Sequence, residues 1–581
     1  MHTYLFEAKS IQSYLFSSGK LKDVISASER LDRLIDSNSS STLHKVLQAA
    51  NLKHDLLVQD SVADSDDKIH FLRCKGGAFY AYCVMEKPLQ SLRSLWTLTI
   101  SQMFPSMEYA DALTQSDTLS DAIDLGHQQL AQSRNAPLVN LPIAKAPHAR
   151  YSRSGKVATP VSKLAQRAQH HQEDEYLDLD TELHRQAYQA LEMRDNAALQ
   201  DRFTPDELKG RISYPIDFEN QFPYMGDSQS LSRQQQDAIK DMALLHIDGN
   251  GLGLILMTLK ESLQGKGAKE YSQVFRSFSD ALNQATVEAA KYATHQLYMQ
   301  YEAERSTTSA TITLPMRPIV LGGDDITLFC RADLALDYAK TFCREFEKRS
   351  LAHLKPLFAT HLKGASISPF LTASGGILFH KASHPFMHSH HLVEALCAKA
   401  KHLTKSSVAS DEVGPAALAI YRVSNATQSN IEDLLAQATS FELSNGKTIQ
   451  TAYSAYLVDE AKQGQGAQLN FNHLDEIVRL SNLTHAPVSM NRWRQMATEL
   501  SAGDIDEAKR IFYRGLELCH TLQQKNEFKT ALAACSINNN EGDWYWSEGN
   551  GSTLNSVLHD LLIIDHYSVQ SSTQSVQGDL A

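Results

Sequence analysis

TITLPMRPIVLGGDDITLFC (311–330) holds two apolar runs, PIVL and ITLF, on either side of Gly322-Gly323-Asp324-Asp325. Short apolar runs bounded by turn residues read as buried strands, so the stretch predicts a β-hairpin turning at Gly322-Gly323. Upstream, DMALLHID (241–248) reads as another buried strand and ends in the turn-rich GNGLG (249–253). A long helical region over roughly 257–303 separates the two. Downstream come a helix over 333–362, the strand LTASGGILFH (371–380), a helix in HSHHLVEALCAKAKHLTKS (388–406) and a closing strand, AALAIYRVS (416–424). Strand, helix, hairpin, helix, strand is the ferredoxin-like order.

The same plan is legible at the N-terminus. A strand in TYLFEAKS (3–10) leads to a helical stretch over 21–50. Strand candidates follow in DLLVQDS (55–61) and KIHFLRCKGGAFYAYCVM (68–85), the latter broken at Gly76-Gly77. A helix from Leu89 to about Met103, a strand in SMEYADAL (106–113) and a helix over 119–133 complete the unit. The expected fold is therefore α+β with two ferredoxin-like units, at 1–135 and 236–425. Between them, 136–235 reads as a connecting region, broken by Pro137, Pro142, Pro147 and Pro160. It is locally basic at Lys145, Arg150, Arg153 and Lys156, then charged and helical from Glu173 to Asp206. Residues 426–581 read as helical: IEDLLAQAT, NHLDEIVRLSNL, MNRWRQMATELS, IDEAKRIFYRGLELCHTLQ and STLNSVLHDLLIIDHY are amphipathic, most of them after a capping residue. The last dozen residues read as a loose tail.

The chain is 581 residues long with 42% apolar and 21% charged residues, ordinary globular values that exclude a largely disordered or collagen-like protein. No apolar stretch approaches the roughly 20 residues of a membrane span, and the first residues show no signal-peptide pattern. The seven cysteines are scattered without a CxxC pair and read as reduced thiols of a cytoplasmic protein. A net charge of −12 argues against a broad nucleic-acid-coating surface, though not against a local groove.

Chemistry concentrates at Asp248, Asp324 and Asp325. In a ferredoxin-like sheet the end of the first strand lies beside the turn between the second and third. Three carboxylates from distant pieces of sequence then surround one point, a donor set suited to Mg²⁺ or Mn²⁺. An Asp pair after Gly-Gly can be a plain polar turn. Buried strands, however, seldom deliver adjacent acids without a cation to face. Gly322 and Gly323 can let a nucleotide approach the backbone closely.

LLHIDGNGLG, LGGDDITLFC and SGGILFHKASHPFMHSHHLVEALCAKAKHLTK, in this order, resemble the catalytic palm of the large polymerase-like subunit of type III CRISPR effector complexes. That palm is similar to the one in GGDEF-type nucleotide cyclases. The N-terminal unit resembles the family's first palm, with GGAF (76–79) standing where the second has GGDD. It lacks the acids and is expected to be a catalytically dead copy. RYSRSGKVATPV (150–161) resembles the zinc region between the palms without its cysteines, so no structural zinc is expected. The helical C-terminus fits the family's last domain.

The resemblance implies metal-dependent nucleotidyl transfer in antiviral defence, joining ATP into cyclic oligoadenylates through a two-ion site. Asp248, Asp324 and Asp325 would hold the ions. Gly322 and Gly323 would line the nucleotide pocket, and Lys401 would meet the triphosphate; Asn250 and Ser374 are further pocket candidates. The implied partners are other subunits of the type III complex and, through it, guide and target RNA. Two departures bear on this reading. The chain starts at the first palm without an HD nuclease domain, and His559-Asp560 reads as incidental, so no DNase activity is expected. Asn250 stands where the family commonly has an acid. His388, His390 and His391 read as solvated surface, and the basic cluster at 145–156 as a solvated loop. The alternatives are a silent scaffold subunit that binds guide RNA and neighbouring proteins, or a stand-alone cyclase of the same fold. A cyclic di-GMP cyclase ranks low, because Asp325-Ile326 stands where Glu-Phe would follow GGD.

Overall fold

The computed structural model describes every residue except 18–19, 57–64, 136–148, 163–175, 193–197, 217, 219–239, 304–310, 364–366, 383, 424–429, 444–445, 461–468, 537, 540, 549–552 and 569–581. Pro137, Pro142, Lys145, Pro147, most of DLLVQDS and the expected tail lie outside the described residues.

The first unit starts with β1 (His2–Ala8), followed by α1 (Ile11–Phe16), α2 (Leu21–Asp32) and α3 (Thr42–Ala49). The single helix expected over 21–50 is broken at 33–41. There the run DSNSSS (36–41) turns side chains onto backbone: Ser37 N donates to Asp36 Oδ1 at 2.7 Å and Ser40 N to Asn38 Oδ1 at 3.0 Å. Ser41 then caps α3 by accepting from His44 N. A hairpin of β2 (His70–Lys75) and β3 (Ala78–Cys83), α4 (Glu86–Met103), β4 (Tyr109–Gln115) and α5 (Leu119–Asn135) complete the unit. The strand order is β2-β3-β1-β4, every neighbour antiparallel. This is the ferredoxin-like order the sequence predicts. One face of the sheet packs Tyr4, Phe6, Phe79 and Trp96 together, with ring centroids 5.4 to 5.5 Å apart.

The connecting region has a small fold of its own. β5 (Ala158–Pro160) and β6 (Tyr176–Asp178) pair over Tyr151, Val161 and Leu177. α6 (Leu179–Glu192) packs on α2, where Arg185 meets Asp23 at 2.9 Å in a fully buried pair. Lys156, read above as part of a solvated basic loop, instead binds Asp180 at 3.0 Å. α7 (Ala198–Phe203) and β7 (Ile212–Ser213) lead on to the second unit.

That unit opens with β8 (Asp241–Asn250), and the helical region after it is two helices, α8 (Leu252–Leu263) and α9 (Ala268–Ala303). β9 (Ile312–Thr313) pairs with β7; β10 (Met316–Gly322), β11 (Asp325–Arg331), α10 (Ala332–His361), β12 (Thr372–Lys381), α11 (Phe386–Ser406) and β13 (Ala417–Arg422) follow. The sheet order β10-β11-β8-β12 repeats that of the first unit, and β13 joins parallel to β12.

The strand expected to close this sheet does not close it. β16 (Ala455–Leu457) adds a sixth strand from within the stretch read as helical. The C-terminal region holds the expected helices α12 (Ile431–Thr439), α13 (Phe471–Ser481), α14 (Met490–Ser501) and α15 (Ile505–Leu518), and an unpredicted one, α16 (Leu522–Ala533). STLNSVLHDLLIIDHY is a short strand, β18 (Thr553–Asn555), before α17 (Leu558–Ser568). With β14 (Ser440–Glu442), β15 (Thr448–Gln450) and β17 (Trp546–Glu548) it forms a four-stranded sheet, β14-β15-β18-β17. Three-residue strands carry too little alternation to be read from sequence. The protein is thus α+β, with two ferredoxin-like units and a mainly helical C-terminal region. Its two large apolar cores each draw residues from both units.

Candidate active site

β8 carries Asp248 to the edge of its sheet, and the register with β11 brings the β10–β11 turn alongside. Gly322 pairs with Asp325, so the two-residue turn is Gly323-Asp324, one position later than the sequence suggests. Gly323 has φ 54°, the left-handed conformation that a two-residue hairpin turn asks of glycine. Gly322 is needed for space, since a Cβ there would lie 2.9 Å from Asp325 Oδ1. In the first unit Lys75 pairs with Ala78, and the turn is Gly76-Gly77. By register, then, the positions of Asp324 and Asp325 correspond to Gly77 and Ala78. The two hairpin tips meet: a Cβ on Gly76 would stand 3.7 Å from Gly323 N.

Asp324 lies over Gly249, close enough that a Cβ at Gly249 would be 2.5 Å from Asp324 Oδ2. Burial, followed by the charge of Asp248, pushes the Asp324 carboxyl up to about 6. Burial and the charges of Asp324 and Asp248 push Asp325 up to about 8, although a hydrogen bond from Gln12 opposes this. The arrangement is one of acids crowded against each other. Lys401, on α11, forms an ion pair with Asp248 and donates to Gly249 O at 3.3 Å. Burial pulls its ammonium down, but Asp248 outweighs this and holds it above the ordinary lysine value.

Asn250 and Ser374, expected at the pocket, lie behind the acids. Both are buried, and Asn250 Nδ2 donates to Ser374 Oγ at 2.8 Å and to Thr372 Oγ1 at 3.0 Å. Ser374 also bonds Thr404 on α11 at 2.8 Å. This network locks β8, β12 and α11 together and so fixes Lys401 relative to Asp248. His390, read above as surface, is fully buried and stacks on Phe16 with centroids 5.1 Å apart; burial pushes its pKa down to about 3. His388 and His391 are exposed. Asp560 is buried and accepts from Tyr453 N at 2.7 Å, Ser454 N at 3.2 Å and the Tyr456 hydroxyl, while His559 bonds Thr451 at 2.7 Å. The pair is therefore a structural clamp on the 451–456 segment.

Two residues that sequence reading missed come from the first unit. Gln12 Nε2 donates to Asp325 Oδ2 at 3.2 Å, and Arg73 places its charge near enough to lower the Asp324 carboxyl slightly. No motif marks either; only the mutual placement of the two sheets does. A cavity of about 350 Å³ opens between the units, lined by Gln12, Gly76, Gly77, Asn283, Gly322 and Asp325 among others.

Among the described residues, no three acid, His or Cys side chains close on one ion-sized point. Asp248 turns to Lys401 and Asp325 to Gln12. The donor chemistry nonetheless fits a divalent cation. The charge of Asp248 raises the proton affinity of Asp324 and Asp325, and a cation would relieve that repulsion.

Residues 241–409 match the family model of the second palm domain of Cas10/Cmr2. The second unit is thus similar to a Cas10-type palm. The expected resemblance to the large subunit of type III CRISPR effector complexes is met in that domain. Among solved structures, the chain is similar to a Csm1–Csm4 cassette in complex with cA4, at 10% identity and TM-score 0.45, covering 97% of this chain and 70% of that chain. It is also similar to a Csm1–Csm4 subcomplex of the type III-A CRISPR-Csm interference complex, at 10% identity and TM-score 0.43, covering 97% and 70%. Csm1 in T. onnurineus matches at 12% identity and TM-score 0.39, covering 92% and 69%. No curated protein matches the chain. No helix among the described residues is long and apolar enough to cross a membrane.

Proposed function

We propose that the chain is a nucleotidyltransferase that converts ATP into cyclic oligoadenylate-type messengers within type III CRISPR defence. The observation that carries this reading is the nearness of Asp248, Asp324 and Asp325, whose charges act on one another, with Lys401 beside them, in a domain that matches a Cas10-type palm. In the reaction, the 3′-hydroxyl of one nucleotide attacks the α-phosphate of an ATP. A phosphodiester bond forms, the bond to the leaving pyrophosphate breaks, and the hydroxyl proton is lost. Mg²⁺ or Mn²⁺, held by Asp248, Asp324 and Asp325, would neutralise phosphate charge and acidify the attacking hydroxyl. Lys401 already faces the acid set and is placed to exchange Asp248 for a triphosphate. Gly323 leaves open space where a Cβ would stand, letting phosphate approach the turn. The cavity between the units, which Asp325 and Gly322 line, is where the second nucleotide would enter. On this reading the protein works in the cytoplasm with other type III subunits and, through them, guide and target RNA.

A second reading is a silent scaffold subunit, favoured by the engagement of Asp248 with Lys401. Purified protein, alone and with type III subunits and RNA, should be incubated with ATP and Mg²⁺ or Mn²⁺ and its products read by mass spectrometry. Adenylate products abolished by Asp324→Ala with Asp325→Ala support the enzyme. Absence of product in every context, with fold and assembly intact, supports the scaffold.

A further inference from the structure

We infer that Gln12, supplied by the acid-free first unit, is a positioning residue for Asp325 of the second. The inference rests on the nucleotidyltransferase reading above and adds a residue to its site. β1 ends at Ala8, and the chain turns through Ser10, whose φ of 47° is left-handed for a residue with a side chain. That turn launches the six-residue α1 directly at the second unit. Phe16 at its far end stacks on His390 of α11 and sets its edge on Phe329 of β11, with centroids 6.2 Å apart in the latter case. At its near end, Gln12 spends one amide N–H on Asp325 Oδ2 at 3.2 Å and the other on His246 Nδ1 at 3.3 Å. Burial keeps His246 below its ordinary pKa, and its Nδ1 also meets the Thr327 hydroxyl at 3.1 Å. A neutral imidazole with Nδ1 as acceptor satisfies both neighbours. The amide is thus held from behind by β8 and β11 and points one donor at the carboxylate.

Packing alone does not account for this residue. Gln12 Oε1 is buried with no hydrogen-bond partner among the described residues, a cost that filling the space would not by itself require. Gln12 also lines the cavity between the units. The first unit's hairpin is shaped to admit it. Gly77 has φ 75°, and a Cβ there would overlap Ile11 Cδ1, next to Gln12 in the chain. Gly77 therefore leaves the room that Ile11 of α1 occupies.

The test compares wild type, Gln12→Met and Gln12→Ala in the full chain and its complex. Gln12→Met keeps the volume and removes both donors. We expect it to lower kcat about tenfold or more with KM for ATP changed by less than about twofold, because Asp325 is set for the reaction rather than for binding. Mn²⁺ affinity, read by electron paramagnetic resonance without nucleotide, should fall about tenfold, the usual effect of losing a group that orients a ligand. The unfolding midpoint should stay within a few degrees. If Gln12→Met and Gln12→Ala both retain wild-type kcat and Mn²⁺ affinity while Asp324→Ala with Asp325→Ala is inactive, the role of Gln12 is overturned and the proposed function stands. If wild type makes no product but binds Mn²⁺ more tightly than Gln12→Met, the function falls and the positioning role stands. Wild type that neither makes product nor binds Mn²⁺ overturns both.

Discussion

Asp324 and Gly249 show how little room the site has. A methyl at Gly249 would stand 2.8 Å from Asp324 Cβ as well as crowding its carboxylate, so Gly249→Ala must turn Asp324 away. We expect nucleotidyl transfer to fall about 10²-fold with the unfolding midpoint lowered only slightly, as measured by steady-state kinetics beside calorimetry. Lys401→Met removes the partner of Asp248 and the cation nearest the acids. Its expected signature is a higher KM for ATP with kcat/KM down about 10²-fold; an unchanged KM would show that the lysine serves Asp248 alone. The nearness of Asp248 to Asp324 and Asp325 was legible because the ferredoxin-like order sets the end of the first strand beside the hairpin turn, whereas Lys401 was pointed to only by the family resemblance. Gln12 was not legible, since nothing local distinguishes it and its target lies more than 300 positions away. Asn250 and Ser374 misled because a polar residue near a site reads the same whether it faces ligand or, as here, its neighbours.

The elements that carry these residues make predictions of their own. On β12, a Cβ at Gly376 would overlap Val393 O of α11 and stand 2.7 Å from Leu396 Cβ. Gly376→Ala should push α11 outward and cost about 1–3 kcal/mol in urea unfolding, displacing Lys401 as it does so. α17 holds a different lever in Asp560. Burial raises its carboxyl from the ordinary 3.8 to about 6, against the hydrogen bonds it accepts from Tyr456, Ser454 and Tyr453. The folded state therefore binds the proton more tightly than the unfolded chain. The stability this contributes is complete below about pH 4 and is lost as pH rises through about 6. The loss is on the order of 3 kcal/mol, and Asp560→Asn should flatten that part of the stability profile. The long strands and helices of both ferredoxin-like units could be read from apolar runs and periodicity. The three-residue strands β14 to β18 could not, because each is too short to show alternation and the sheet of β14, β15, β17 and β18 is joined by a pair about 100 positions apart, β15 with β18.

At the scale of the molecule, the repeat was visible in the order of elements, but the sharing of cores was not. One core joins Tyr4, Phe6 and Phe79 of the first palm-like unit to Phe329, Leu378 and Leu396 of the second and to Leu457 of β16. A fragment covering 236–425 lacks both the first unit and β16. It should expose that apolar surface and be recovered as aggregate or molten protein, which circular dichroism and size-exclusion chromatography would show. A fragment that folds cooperatively would mean that the shared core is dispensable.

The contact between the hairpin tips has a mechanical consequence. Gly76 and Gly323 lie so close that a Cβ on Gly76 would reach van der Waals contact with Gly323 N. Gln12 crosses the same seam. The acids therefore sit at a caliper whose two jaws are different stretches of one chain. A displacement that slides one jaw past the other would therefore bear on Asp324 and Asp325.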